Sequence, residues 1–172
     1  EKFSTVVYSE KVLANKKADL QVKSDASIYI ARSAIMTNDM VKAEKAYSEI
    51  SKEAKGSLKA EALYYESFFK NKAGKYGESN DIIQNLASKY ANHKYWGVKG
   101  LILMAENNIG LNDVFQATYI LESIIKNYGR FEELTHEASR ILEQLKTVQK
   151  FKEGNSDATV KEEKEIEKKI EF

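Results

Sequence analysis

Two histidines are the residues of this sequence best suited to metal or acid–base chemistry. His93 and His136 lie 43 positions apart, and Glu137 follows His136 in the order of a zinc-protease motif. That motif needs a second imidazole one helical turn further on, and Arg140 occupies the position instead. The histidines therefore predict no metal site.

The other residue types that commonly carry chemistry are also unfavourably placed. Carboxylates are numerous but dispersed, so no pair has a setting that would drive its two pKa values apart. No serine occupies a nucleophile elbow. Neither Gly74 with Gly77 nor Gly97 with Gly100 forms a phosphate-binding loop, which would need a preceding strand. We expect no enzymatic activity, no cofactor and no bound metal.

Charge and composition narrow the range of partners. The 172 residues include 27 basic and 26 acidic ones, for a net charge of +1, and only three arginines. A nucleic-acid-binding protein is therefore not expected. No cysteine is present, and no apolar run approaches the roughly 18 residues of a membrane span. Because the sequence begins at Glu1 and not at methionine, we expect a processed product or a fragment.

Helices are the elements that must position any functional residue. Proline is absent and glycine occurs eight times, so helix-breaking residues are scarce. Apolar residues recur at intervals of three and four, as in the stretch from Ile28 to Ile35, which is typical of an amphipathic helix. Ser24-Asp25 predicts the N-cap of that helix. The whole sequence predicts about eight helices.

A short motif, made of a turn residue, a polar residue and an apolar residue, occurs three times. Its copies are Asn38-Asp39-Met40, Gly74-Lys75-Tyr76 and Asn112-Asp113-Val114. Small residues flank each copy, as the pairs Ala31 and Ala43, Ser67 and Ser79, and Ala105 and Ala117. The first members of these pairs are spaced by 36 and 38 residues, which is typical of stacked helical hairpins. We expect each small pair to meet where the two helices of a hairpin cross.

This pattern resembles the tetratricopeptide repeat over about residues 24–128. The residues that carry the resemblance are Ile30-Ala31, Asn38-Asp39-Met40 and Ala43 in one copy, Ser67, Gly74-Lys75-Tyr76, Ser79 and Leu86 in the next, and Met104-Ala105, Asn112-Asp113-Val114 and Ala117 in the third. The resemblance implies an all-α fold, a right-handed α-solenoid of antiparallel hairpins. Its expected parts are a half repeat at 1–20, repeats at about 24–56, 57–92 and 95–128, and a closing helix at 131–150.

A charged tail follows at 151–172. Nine of its last twelve residues are charged, and we expect the tail to be flexible.

Two further stretches are similar to repeat proteins of Bacteroidetes-type bacteria, many of which are exported. They are Asn92-His93-Lys94-Tyr95-Trp96 followed by Lys99, and Asp113-Val114-Phe115-Gln116-Ala117 with Leu121-Glu122-Ser123-Ile124-Ile125. This similarity implies a periplasmic or outer-membrane-associated protein, with the cytoplasm as the alternative.

The tetratricopeptide resemblance also implies a function. In that family, a protein or peptide segment lies in a concave groove lined by the first helix of each hairpin. Carrying the register over places nine residues on this wall: Ile28, Arg32, Ile35, Tyr64, Phe68, Asn71, Lys99, Ile102 and Glu106. We expect a non-enzymatic protein-binding scaffold, part of a larger envelope-associated protein. The alternative is a structural or self-assembling block without a dedicated ligand, which associates through its terminal helices or its tail.

Overall fold

The computed structural model describes the backbone of residues 2–150, and side-chain burial from Val6 onward except at Leu20 and Gln21. Within residues 2–150 the chain forms eight helices and no strand, so the prediction of an all-α fold is confirmed. The predicted tail at 151–172 lies outside the described residues. None of the described helices is both long enough and apolar enough to cross a membrane.

The helices follow one another with short connections. They are α1 (Lys2–Ala14), α2 (Leu20–Met36), α3 (Met40–Glu53), α4 (Gly56–Lys72), α5 (Tyr76–Lys89), α6 (Lys94–Gly110), α7 (Val114–Asn127) and α8 (132–150). From α1 to α7 each helix packs against the next, and α4 also packs against α6. This arrangement is consistent with a helical repeat solenoid in which α2–α3, α4–α5 and α6–α7 are the hairpins.

The predicted start of α2 at Ser24-Asp25 is wrong. The helix begins at Leu20, because the backbone N–H of Lys23 already donates to the carbonyl of Asp19 over 3.0 Å. Ser24 and Asp25 therefore lie inside the first turns of the helix, where their side chains cannot act as its N-cap.

The repeated motif ends one helix of each hairpin and begins the next. Its first residue adopts the left-handed conformation in all three copies, with φ of 60° at Asn38, 71° at Gly74 and 61° at Asn112. Glycine and asparagine tolerate this conformation better than other residues do. The next backbone N–H then closes the turn, from Asp39 to the carbonyl of Ala34, from Lys75 to Lys70 and from Asp113 to Asn108. The carboxylates of Asp39 and Asp113 also accept from backbone N–H groups in the first turns of α3 and α7.

The small flanking residues lie at the helix crossings. All six are fully buried: Ala31, Ala43, Ser67, Ser79, Ala105 and Ala117. In the middle hairpin the two helices touch directly, since the Ser79 hydroxyl donates to the Ser67 carbonyl over 2.8 Å. Each crossing is therefore too close for a larger side chain.

The apolar core runs along the array in three clusters. One joins α2, α3 and α4, a second joins α4 with α5 and Trp96, and a third joins α6, α7 and α8. Each hairpin buries its apolar side against its neighbours, and this packing fixes the positions of the helices relative to one another. The outward-facing side chains of α2, α4, α6 and α8 are therefore held in fixed positions.

Candidate functional site

The even-numbered helices form a row that is linked by side chains from one hairpin to the next. Arg32 of α2 binds Glu61 of α4, and the ring of Tyr64 in α4 packs on that of Trp96 in α6. Tyr95 of α6 contacts Phe131, which directly precedes α8. We call the outward-facing side of this row the even-helix face. Its residues are Tyr29, Arg32, Met36, Tyr64, Phe68, Lys72, Tyr95, Trp96, Lys99, Glu106, Glu133, Glu137 and Arg140.

The α2 part of the even-helix face is apolar and well exposed. Tyr29 and Met36 lie three residues before and four residues after Arg32, so the three side chains share one side of the helix. Tyr29 is 60% and Met36 66% exposed. Ile28 and Ile35, which were predicted to line the groove, are half-buried and pack against the cluster of α2, α3 and α4. On the side of α2 that carries Arg32, the well-exposed apolar surface is therefore supplied by Tyr29 and Met36.

Arg32 is held by a buried carboxylate. Its Nε and Nη2 atoms donate to the two carboxylate oxygens of Glu61 over 2.8 and 2.6 Å. The hydroxyl of the buried Tyr47 donates to the same carboxylate over 2.9 Å. Hydrogen bonding to Glu61 raises the pKa of Arg32 above its usual range, and burial raises the pKa of Tyr47. Arg32 thus links α2 to α4 through this ion pair.

An aromatic cage surrounds Lys99 in the middle of the face. The Lys99 Nζ lies 5.0 Å from the ring centre of Tyr64, 5.7 Å from that of Trp96 and 5.8 Å from that of Tyr95. These separations are within the range of cation–π attraction. No carboxylate in the described part of the chain forms an ion pair with Lys99. The ammonium is therefore held by rings alone.

The end of the face toward α8 carries charges of both signs. Glu106 is half-buried, and this burial raises the pKa of its carboxyl group, while the charges of Lys72 and Arg140 oppose the rise and that of Glu137 adds to it. Lys72 also lies over the ring of Phe68, with its Nζ 5.0 Å from the ring centre. These charges would favour a partner whose own charges are complementary to them.

Two of the nine predicted groove residues have other surroundings. Ile102 is 4% exposed and packs in the cluster of α6, α7 and α8, so it is not available to a ligand. Asn71 donates over 2.8 Å to the amide oxygen of Asn107. Asn107 is fully buried and donates in turn to Ser79 and Asn80. Asn71 therefore belongs to a polar network that joins α4, α5 and α6.

The remaining predicted residues, Arg32, Tyr64, Phe68, Lys99 and Glu106, lie together on the even-helix face. The prediction missed Glu137, although it follows Lys99 by 38 residues, the same spacing that separates Ser67 from Ala105. It also missed Tyr29 and Met36, which helical spacing alone places beside Arg32. The Glu61 partner of Arg32 gave no local signal, because 29 residues separate the two.

Among residues 2–150, no group of three or more histidine, cysteine, aspartate or glutamate side chains is arranged to hold a metal ion. Comparison of the chain with models of protein families, with curated proteins and with solved structures finds no significant match.

Proposed function

We propose that this chain is a non-enzymatic scaffold whose even-helix face binds a segment of another protein. The observation that supports the proposal is the row of partly exposed aromatic and apolar side chains that crosses α2, α4 and α6, alternates with charges of both signs and ends on the charged residues of α8. Aromatic side chains offer a large contact area at a low cost in conformational entropy, which is why they dominate protein interfaces. The charges between them can fix the register of a bound segment.

The shape of the face favours a segment over a small molecule. Small-molecule sites are enclosed and bury most of the ligand. The side chains of the even-helix face are instead spread over α2, α4, α6 and α8, and Tyr29 and Met36 at one end are more than half exposed. An extended or helical segment can reach the apolar α2 part and the charged end near α8 at the same time. The envelope location implied by the resemblance stays a prediction.

A peptide selection with matched variants tests the proposal. Peptides from a random display library would be selected on the immobilised chain, and their affinities measured by fluorescence anisotropy. The test variant is Tyr29→Ser with Met36→Ser, and the control is Val41→Ser with Phe115→Ser, two positions outside the face that are each 82% exposed. All four side chains are exposed, so both double variants should keep the helical circular dichroism of the parent.

We expect the selected peptides to bind the control like the parent and to bind the test variant at least about tenfold more weakly, the effect of losing about 1.4 kcal/mol of contact. A library that yields no binding peptide, or peptides that lose affinity only with the control, would contradict the proposal.

A second candidate function is self-assembly, and one observation favours it. Leu111, Phe115 and Tyr119 recur every four residues around the start of α7, and they are 51%, 82% and 64% exposed. Such an apolar stripe outside the even-helix face could contact another copy of the chain. Light scattering on the parent and on Phe115→Ser decides this point, because self-assembly through the stripe predicts an oligomer that the substitution weakens.

A further inference from the structure

We propose that Lys99 is the anchor point of the even-helix face for an acidic side chain, aspartate or glutamate, next to an apolar residue of the bound segment. This inference rests on the proposed function and names the chemistry of its partner. It is carried by the geometry of the cage that Tyr64, Tyr95 and Trp96 form around the Lys99 ammonium.

Lys99 differs from the other cations of the face in its surroundings. Arg32 is bound to Glu61 by two hydrogen bonds, whereas Lys72, which like Lys99 forms no ion pair among the described residues, lies over the single ring of Phe68. Lys99 has neither an ion pair nor a side-chain hydrogen bond among the described residues, and its contacts are three aromatic rings. A carboxylate from outside would therefore give this ammonium the partner that the chain does not supply.

The rings also prepare the ammonium for binding. A lysine side chain at a protein surface normally loses rotamer freedom when it binds, and this loss opposes binding. The Lys99 side chain is half-buried against Tyr64, Tyr95 and Trp96, so part of this freedom is already lost before a ligand arrives. A carboxylate that binds here would form charge-assisted hydrogen bonds at a reduced entropic cost.

The same rings define what should stand beside the acidic group. Tyr95 is 37% exposed, and Tyr64 and Trp96 are partly exposed, so their edges offer apolar surface around the ammonium. A leucine or phenylalanine next to the acidic residue can cover these edges and exclude water from the ion pair, which strengthens it. Burial raises the pKa of the Tyr95 hydroxyl, and the nearby charges of Glu133 and Glu137 raise it further, so additional acidic residues on this side of Tyr95 would be repelled. The favoured segment thus has one acidic residue in an apolar setting.

A peptide array provides the test. The peptides would be octamers with acetylated and amidated ends, so that their only charge comes from the side chain at one position. That position would carry aspartate, glutamate, asparagine, glutamine or lysine, between leucine or phenylalanine neighbours. The labelled parent chain, Lys99→Met, Lys99→Arg and the control Lys126→Met, an exposed lysine of α7 outside the face, would each be applied. Titrations of the best peptides would follow the fluorescence of Trp96, the only tryptophan of the chain.

We expect the parent and the Lys126→Met control to prefer aspartate or glutamate over the matching amide by about tenfold, which corresponds to about 1.4 kcal/mol. Lys99→Met should bind acid and amide peptides equally well, while it keeps the affinity that comes from the leucine or phenylalanine neighbours. Lys99→Arg should retain part of the preference for acidic peptides. The preference should weaken as salt is raised.

Four results would overturn the inference. A preference that persists in Lys99→Met would place the acid contact elsewhere, and a parent that favours lysine peptides would assign the binding to the carboxylates of the face. Equal binding of acid and amide peptides by the parent would remove the anchor but leave the proposed function intact. If no octamer binds, although the display library has yielded peptides that depend on Tyr29 and Met36, the inference alone fails. If no octamer binds and the display library also yields no binding peptide, the proposed function fails with it.

Discussion

Removal of the Arg32 side chain should destabilise the fold more than neutralisation of its buried partner, although Arg32 is the more exposed of the two. The Arg32 side chain is 57% exposed, whereas that of Glu61 is 3% exposed. Arg32→Met leaves the Glu61 carboxylate buried with the Tyr47 hydroxyl as its remaining donor. Loss of one partner from a buried pair costs about 3–5 kcal/mol, and since Arg32 is partly solvated we expect about 2–4 kcal/mol.

Glu61→Gln is a milder change. The amide oxygen can still accept from Tyr47, and the exposed guanidinium can turn to water, so we expect a cost of about 1 kcal/mol. On the Arg32→Met background the same substitution should act in the opposite direction, because it removes an uncompensated buried charge. The double variant should therefore be more stable than Arg32→Met alone.

Urea unfolding at pH 7, followed by circular dichroism, measures all four proteins of this cycle. The reasoning is refuted if Glu61→Gln destabilises both backgrounds equally, or if Arg32→Met costs less than Glu61→Gln.

Three further predictions concern the turns, the crossings and the charged end of the face. Gly74→Ala should lower the free energy of unfolding by about 1 kcal/mol because φ is +71°, whereas Gly77→Ala inside α5 should not lower it; equal effects in urea unfolding would contradict this. Ala105→Leu should overpack the crossing of α6 and α7 and cost about 1–3 kcal/mol in thermal unfolding, and an unchanged Tm would show a looser crossing. Burial raises the pKa of Glu106 above its unfolded value of 4.5, so the folded state favours its protonated form and loses stability as pH rises through the folded pKa. Glu106→Gln should therefore stabilise the chain at pH 7 and lose this advantage below pH 4.5, and a gain that grows toward acidic pH would contradict the sign.

The regular parts of the fold could be predicted because they depend on local chemistry. The residue types of Asn38, Gly74 and Asn112 predict turns at these positions, and all three residues adopt the left-handed conformation in the structure. The buried small residues followed from the same spacing. The start of α2 could not be predicted in the same way. A backbone hydrogen bond from the N–H of Lys23 to the carbonyl of Asp19 extends the helix toward its N-terminus, beyond the N-cap that Ser24-Asp25 suggested.

The candidate site was only partly predictable because it depends on which residues meet between hairpins. The register placed Lys99 on the face, but it could not show that Tyr64, Tyr95 and Trp96 converge on its ammonium. The same register placed Ile102 on the face, whereas the close packing of α6 against α7 and α8 buries it. Residues of one repeat position thus differ in exposure, since their neighbours in the next hairpin differ.

The measurement that most directly tests the central proposal is a nuclear magnetic resonance titration of the labelled chain with the tightest peptide from the display selection. If the even-helix face binds the segment, the shifted backbone amides should fall in α2, α4, α6 and α8, and the Trp96 indole signal should move with them. Shifts that are confined to α3, α5 and α7, or that centre on Phe115, would contradict the proposal and favour association through the opposite side of the array.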